Sequence, residues 1–381
     1  MPALTPSRLA VVVVAFSLLT FFWTFGLPHP IATPAVPHEN HDSTKGTFLR
    51  PVEPFVGVDD GIPETEPRPS PTSVSEIQEA SSVPATSTTQ VSHNPSDTTE
   101  HASFTQLCRS IRGAGDVMIV LKTSAAELYS KLPTHLLTLI PCAPHFAIFS
   151  DHAGSIAGHP VHDALENITQ TVKEKYKEFG YYYQIRQQRT EHQQLSDFQG
   201  EATRNLDKWK FLPMLYSSYQ MRPETKFFLF IEADTSISWA NLLQWISRLD
   251  PSKPYFAGAP AFLQDQKYAQ RGSGFLLSNT AMKMFSSAYE ERYVSEWESK
   301  TGEGCCGDVV LTQVLEQSAV QFKNAFPLLQ GESPGSLDWT ENNWCSPVVS
   351  WHHVNPEEID LLWEVQREWT RKNVSGQVLH L

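Results

Sequence analysis

"FFLFIEADTSISW", residues 227–239, is an apolar run that ends in two carboxylates and a hydroxyl. Aromatic and β-branched residues in so short a run suit a buried strand. Two similar runs precede it, "DVMIVLKT" (116–123) and "HFAIFSD" (145–151), each ending in polar residues at its C-terminal side. Helix-like stretches lie between them: 125–140, 161–179 and 201–221 carry apolar residues near helical spacing. Strands alternating with helices predict an α/β fold, an open and mostly parallel sheet with helices on both faces. Ligands of such sheets sit beyond the carboxyl ends of the strands, where Thr123, Asp151, Glu232 and Asp234 fall.

Composition limits what this sheet serves. The chain has 381 residues, 40% of them hydrophobic, and a formal net charge of −13. That balance supports a real core and excludes a protein that coats itself with phosphate backbone, so nucleic acid is not an expected partner. Residues 9–27, "LAVVVVAFSLLTFFWTFGL", carry no charge and are long enough to cross a bilayer core. They run into Pro28 and Pro30 rather than a small-residue cleavage site, and Arg8 precedes them while no Lys or Arg follows until Lys45. A single-pass signal anchor is expected, with residues 1–8 cytoplasmic and the rest lumenal, a type II membrane topology. Residues 28–103 are rich in Pro, Ser and Thr and read as a stem, leaving 104–381 as the folded domain. "NIT" at Asn167 and "NVS" at Asn373 are glycosylation sequons of the kind a lumenal glycoprotein carries. Five cysteines, Cys108, Cys142, Cys305, Cys306 and Cys345, predict two disulfides and one thiol. The expected pairs are Cys108 with Cys142 and one of the adjacent two with Cys345.

Glu232 and Asp234, spaced i, i+2, project to one side of a strand, and oxygen ligands of this kind suit Mg²⁺ or Mn²⁺. Taken alone, the pair equally ends a strand and caps the helix of "WANLLQWISRL". "RGSGFLLS" (271–278) supplies Gly272 and Gly274, which admit a close ligand or simply make a bend. Asp308 in "GDVVLTQVL" stands either at a helix start or in an acid–base role.

In order, "FFLFIEADT", "RGSGFLLSNTAMKMF", "GDVVLTQVL" and "SWHHVNPEEIDLLW" resemble the family 31 glycosyltransferases, the β1,3-glycosyltransferase group that includes Fringe. The likeness is nearest to fungal Fringe-like members with an EADT motif. It spans about Asp116 to Trp363. The resemblance implies a GT-A-type Rossmann-like fold, a Golgi membrane address, a UDP-sugar donor, a glycan or glycoprotein acceptor and a Mn²⁺ (or Mg²⁺) cofactor. It makes Asp234 and His352 metal ligands, Glu232 a contact to the nucleotide sugar or the metal's water shell, and Asp308 the base of an inverting transfer. "LDKWKFLP" makes Lys208 or Lys210 a diphosphate contact, and Thr123 and Asp151 holders of base and ribose. Departures stand at Ala233, Gln270, Arg271 and Gly307. They keep open an inactive, membrane-anchored glycan-binding or adaptor protein of the same fold. A nucleotide-sugar hydrolase is the third reading.

Overall fold

The computed structural model describes residues 104–191, 201–340 and 343–372. The expected tail, anchor and stem (1–103) and the sequon at Asn373 lie outside the described residues. Among the described residues no helix is long and apolar enough to cross a membrane.

Twelve strands are present among the described residues: β1 Val117–Lys122, β2 His145–Ser150, β3 Gly154–Ile156, β4 His159–Asp163, β5 Phe227–Glu232, β6 Ser236–Ile237, β7 Phe256–Gly258, β8 Pro260–Leu263, β9 Gln266–Ala269, β10 Phe275–Ser278, β11 Phe322–Asn324 and β12 Ser350–Trp351. Eight build the main sheet, in the order β11-β7-β10-β5-β1-β2-β4-β3. β1 pairs in parallel with both β2 and β5, and only β10 and β3 run against the common direction. The mostly parallel sheet expected from the sequence is therefore present, with an antiparallel strand inserted between β5 and β7.

Alternation along the central strands builds a core on each face. Val117, Ile119, Leu121, Leu229 and Ile231 pack with Leu132, Leu242, Leu243 and Trp363 on one side. Met118, Val120, Phe228 and Phe230 pack with Leu212, Leu215, Met282, Phe285 and Val314 on the other. Both faces are thus covered by helices, which is why β1 and β5 read as continuous apolar runs.

Three local readings change. Residues 125–131 form turns, and the helix Leu132–Leu137 begins only with Pro133 in its first turn, because proline suits the start of a helix and not its interior. Residues 161–163 belong to β4, and the helices of that region are Gln170–Lys175 and Phe179–Thr190. The stretch 201–221 is split by a single 3₁₀ turn at Lys208–Lys210, between helices Glu201–Asp207 and Phe211–Met221. Of the disulfides, Cys108–Cys142 is as expected. Cys305 pairs with its neighbour Cys306 instead of reaching Cys345, which is exposed.

Candidate active site

The carboxyl ends of β1, β2 and β5, together with the start of antiparallel β10, meet at one edge of the sheet. From β1 the order runs to β2 on one side and to β5 on the other, a topological switch point of the kind where α/β sheets hold ligands. Lys122 and Glu232 are register partners there, their side chains 2.8 Å apart.

Two distant stretches close on the turn after β5. Thr235 donates its hydroxyl to the Gly272 carbonyl at 2.8 Å, tying "EADT" to "RGSG". β12 pairs antiparallel with β6, directly after that turn, and the Val354 amide donates to the Asp234 carbonyl at 3.2 Å. Ser350 donates its hydroxyl to the Ser273 carbonyl, closing the triangle. A capping box follows at once: Asn355 and Glu358 bond each other's amides at 2.8 and 2.9 Å, with Pro356 opening the helix Pro356–Lys372. The histidine pair is thereby held between a strand pair and a rigid helix start.

His352 is buried, its Nε2 3.5 Å from Asp234 Oδ1 and 4.0 Å from Glu232 Oε2. Its Nδ1 is buried without a hydrogen-bond partner. The ring lies directly over Gly272, where any β-carbon would overlap it. Gly274 adopts φ 76°, and a β-carbon there would come within 3.0 Å of the Phe230 carbonyl. Both glycines therefore serve close packing within the protein. Asp234, His352 and His353 each present a ligand atom, all within 4.8 Å of one another, and no other such group occurs among the described residues. One carboxylate and two imidazoles form a donor set for a divalent first-row cation, the carboxylate suiting Mn²⁺ and the imidazoles suiting Zn²⁺, Fe²⁺ or Ni²⁺ better. Burial opposes ionisation of Asp234, but the His352 hydrogen bond and the Lys131 charge outweigh it and hold the carboxyl well below the usual range.

Charges pair closely around this centre. Lys122 also reaches Asp207 at 2.5 Å, and Arg271 lies 3.4 Å from Glu232 and 3.7 Å from Asp207. Arg271 thus engages the protein's own acids. Lys210 is fully buried and held by Asp151 at 3.0 Å, Asp207 at 3.2 Å and the Thr123 carbonyl at 2.9 Å. Asp151 also accepts from the Ala125 amide at 2.7 Å, so Lys210 and Asp151 shape the turn after β1. Thr123 brings to this edge a buried hydroxyl that has no hydrogen-bond partner. Lys208 is not brought to the acids: its ammonium donates to the Gly302 and Gly304 carbonyls at 3.0 and 3.1 Å and pairs with Glu178 at 3.5 Å, which uses all three donors.

Asp308 lies in the first turn of the helix Gly307–Gln317 and is buried. It accepts from the Arg271 amide at 3.4 Å and the Val309 amide at 3.1 Å. Burial raises its pKa above the ordinary carboxylate value. Gly307, one of the departures from the family 31 likeness, packs against Phe211 so tightly that a β-carbon would overlap the ring.

Lys122, Lys131, His135 and Asp207 join the site without having been singled out in the sequence. Lys131 reaches Asp234 Oδ2 at 3.2 Å. His135, buried and kept neutral by burial, donates Nε2–H to the Ala233 carbonyl at 2.9 Å. Only Lys122 and Asp207 carried a signal, a lysine ending an apolar strand and an acid inside "LDKWK". Among the tryptophans, Trp239 and Trp245 are core, while Trp339 and Trp344 are exposed. Trp339 leans on Trp351, whose small cluster with Val348, Val354 and Ile359 is distinct from the acidic turn.

No family model matches the chain, and no curated protein does. Among solved structures, a glycosyltransferase involved in the glycosylation of the major capsid of PBCV-1 is similar over 65% of this chain and 98% of its own, at 12% sequence identity and a TM-score of 0.30. A likeness that distant decides neither fold nor activity.

Proposed function

We propose that this protein is a metal-dependent, inverting glycosyltransferase of the secretory pathway. It would move a hexose or N-acetylhexosamine from a UDP-sugar to a glycan hydroxyl, in a β1,3 linkage. The observation that carries this reading is the approach of His352 Nε2 to Asp234 Oδ1, 3.5 Å, over Gly272. Residues from three distant motifs converge there, at the edge where open α/β sheets hold ligands. The ordered likeness of those motifs to family 31 supports the donor and linkage, and the apolar run 9–27 supports an anchored, lumenal placement in the Golgi.

In this reading Asp234 and His352, with His353 beside them, would hold a divalent cation, whose charge would offset that of the departing diphosphate. Asp308 accepts the proton of the acceptor hydroxyl while that oxygen bonds to the anomeric carbon and the bond from that carbon to the phosphate oxygen breaks. Its raised proton affinity suits a base, and the Arg271 amide orients it. Thr123 offers its unpartnered hydroxyl to the nucleoside.

A second reading, an inactive glycan-binding or adaptor protein of the same fold, is favoured by the way Lys122 and Arg271 already neutralise Glu232 and Asp207. Calorimetry of UDP binding, with Mn²⁺ and with chelator, separates the two. Binding that requires both Mn²⁺ and Asp234 supports the transferase, and folded protein that binds under neither condition leaves the adaptor.

A further inference from the structure

Lys131 is more accessible than the other lysines of the site. Lys122 and Lys210 are buried and fixed, whereas the Lys131 side chain keeps 30% of its surface exposed. Its ammonium is shared: 3.2 Å to Asp234 Oδ2 and 2.6 Å to Glu127 Oε1, one turn back along its own segment. Four residues on, His135 anchors the same segment to the Ala233 carbonyl. The backbone beside the acidic turn is therefore fixed, while the partly exposed Lys131 side chain is held through its ammonium by two ion pairs. Leaving Asp234 would cost the ammonium one of two carboxylate partners and require no rearrangement of the fold.

We propose that Lys131 is a resident counter-cation of the Asp234–His352 pair, which keeps the affinity of that pair for a divalent cation low until an anionic diphosphate draws the ammonium away. This rests on the metal-site reading above. His352 faces Oδ1 of Asp234 and Lys131 occupies Oδ2, so the two carboxylate oxygens are divided between them. An ammonium on one oxygen weakens the carboxylate as a ligand, and a unit positive charge a few ångströms away repels an incoming cation. A diphosphate reverses both effects, because its oxygens compete with Asp234 for the ammonium's donors. Metal and nucleotide then bind with positive coupling, and by linkage each tightens the other equally.

The test is the affinity of the full-length chain for MnCl₂, read by electron paramagnetic resonance of free Mn²⁺, with and without UDP. Wild type, Lys131→Met, Lys131→Arg and Asp234→Ala are compared. Lys131→Met is expected to bind Mn²⁺ alone about tenfold tighter than wild type, and the tightening by UDP to shrink by a similar factor. Lys131→Arg, which keeps the charge, should resemble wild type with metal alone. Unchanged or weaker Mn²⁺ binding by Lys131→Met, with binding still abolished by Asp234→Ala, would overturn the role of Lys131 and leave the metal site standing. Absence of Mn²⁺ binding in every variant, with UDP present, would remove the metal reading and this inference with it.

Discussion

The imidazole of His352 rests on the α-carbon of Gly272, with no room for a side chain between them. The two come from motifs eighty positions apart in the chain. Gly272 is needed here for contact distance, since a methyl group would push the ring off Asp234. Gly272→Ala is therefore expected to weaken Mn²⁺-dependent UDP binding at least tenfold and to lower stability by about 1–3 kcal/mol, the usual cost of overpacking. Calorimetry and thermal denaturation measure the two effects separately.

Asp308→Asn separates chemistry from folding. Burial raises the carboxyl's pKa, so ionising it costs the folded state, and that cost disappears in the neutral amide. The variant should melt higher than wild type at neutral pH, bind UDP with Mn²⁺ unchanged, and transfer sugar roughly 10²–10⁴-fold more slowly. Scanning calorimetry and a radiolabelled-sugar assay give the three readings. Unchanged transfer would remove Asp308 from the role of base.

Asp207 predicts an acid limb. Burial opposes its ionisation, but Lys122, Lys210 and Arg271 outweigh that and hold its pKa well below the ordinary value. A depressed carboxylate pKa stabilises the fold fully above the unfolded value, about 4, and the contribution is lost as pH falls toward the folded pKa. Asp207→Asn should cost roughly 3 kcal/mol at pH 7, because it leaves buried lysines short of a partner. The gap from wild type should narrow below about pH 4 in denaturant titrations.

Gly307→Ala tests whether that position is a site departure or a packing constraint. A β-carbon would overlap the Phe211 ring. The expected result is a loss of about 1–3 kcal/mol in urea unfolding, with the UDP affinity of the remaining folded protein intact.

How much of this was legible in the chain varies with the range of the interaction. β1, β2 and β5 announce themselves because both faces of the sheet are covered, so each reads as an apolar run with a polar end. The stretch 161–179 reads as helix throughout because β4 is short and half-exposed, with the burial of His159–Asp163 too weak to imprint alternation. Asp234 and His352 were legible only as members of an ordered motif set, since neither spacing nor composition links them. The site roles of Lys131 and His135 left no mark, because Asp234 and Ala233 lie 103 and 98 residues away from them, and locally Lys131 reads only as the i, i+4 partner of Glu127. Lys208 and Lys210 look alike in sequence. Their fates diverge because the 3₁₀ turn aims one at the Gly302–Gly304 carbonyls and the other at Asp151.

β5 has register partners along both edges, β1 on one side and β10 on the other. Its amides are shielded from both directions, so in hydrogen–deuterium exchange this strand belongs to the last part of the molecule to take up label. The β8–β9 hairpin pairs only with itself and carries exposed Phe262 and Leu263. Glu232 thus rides on this slow-exchanging strand and Asp234 on the turn that leaves it, while the exposed hairpin tip exchanges sooner. The base of the hairpin is tied in, since Ala269 is buried with its amide bonded to Thr312, so a change confined to the tip at Phe262 and Leu263 alters the exposed surface without reaching Arg271 and the acids it holds.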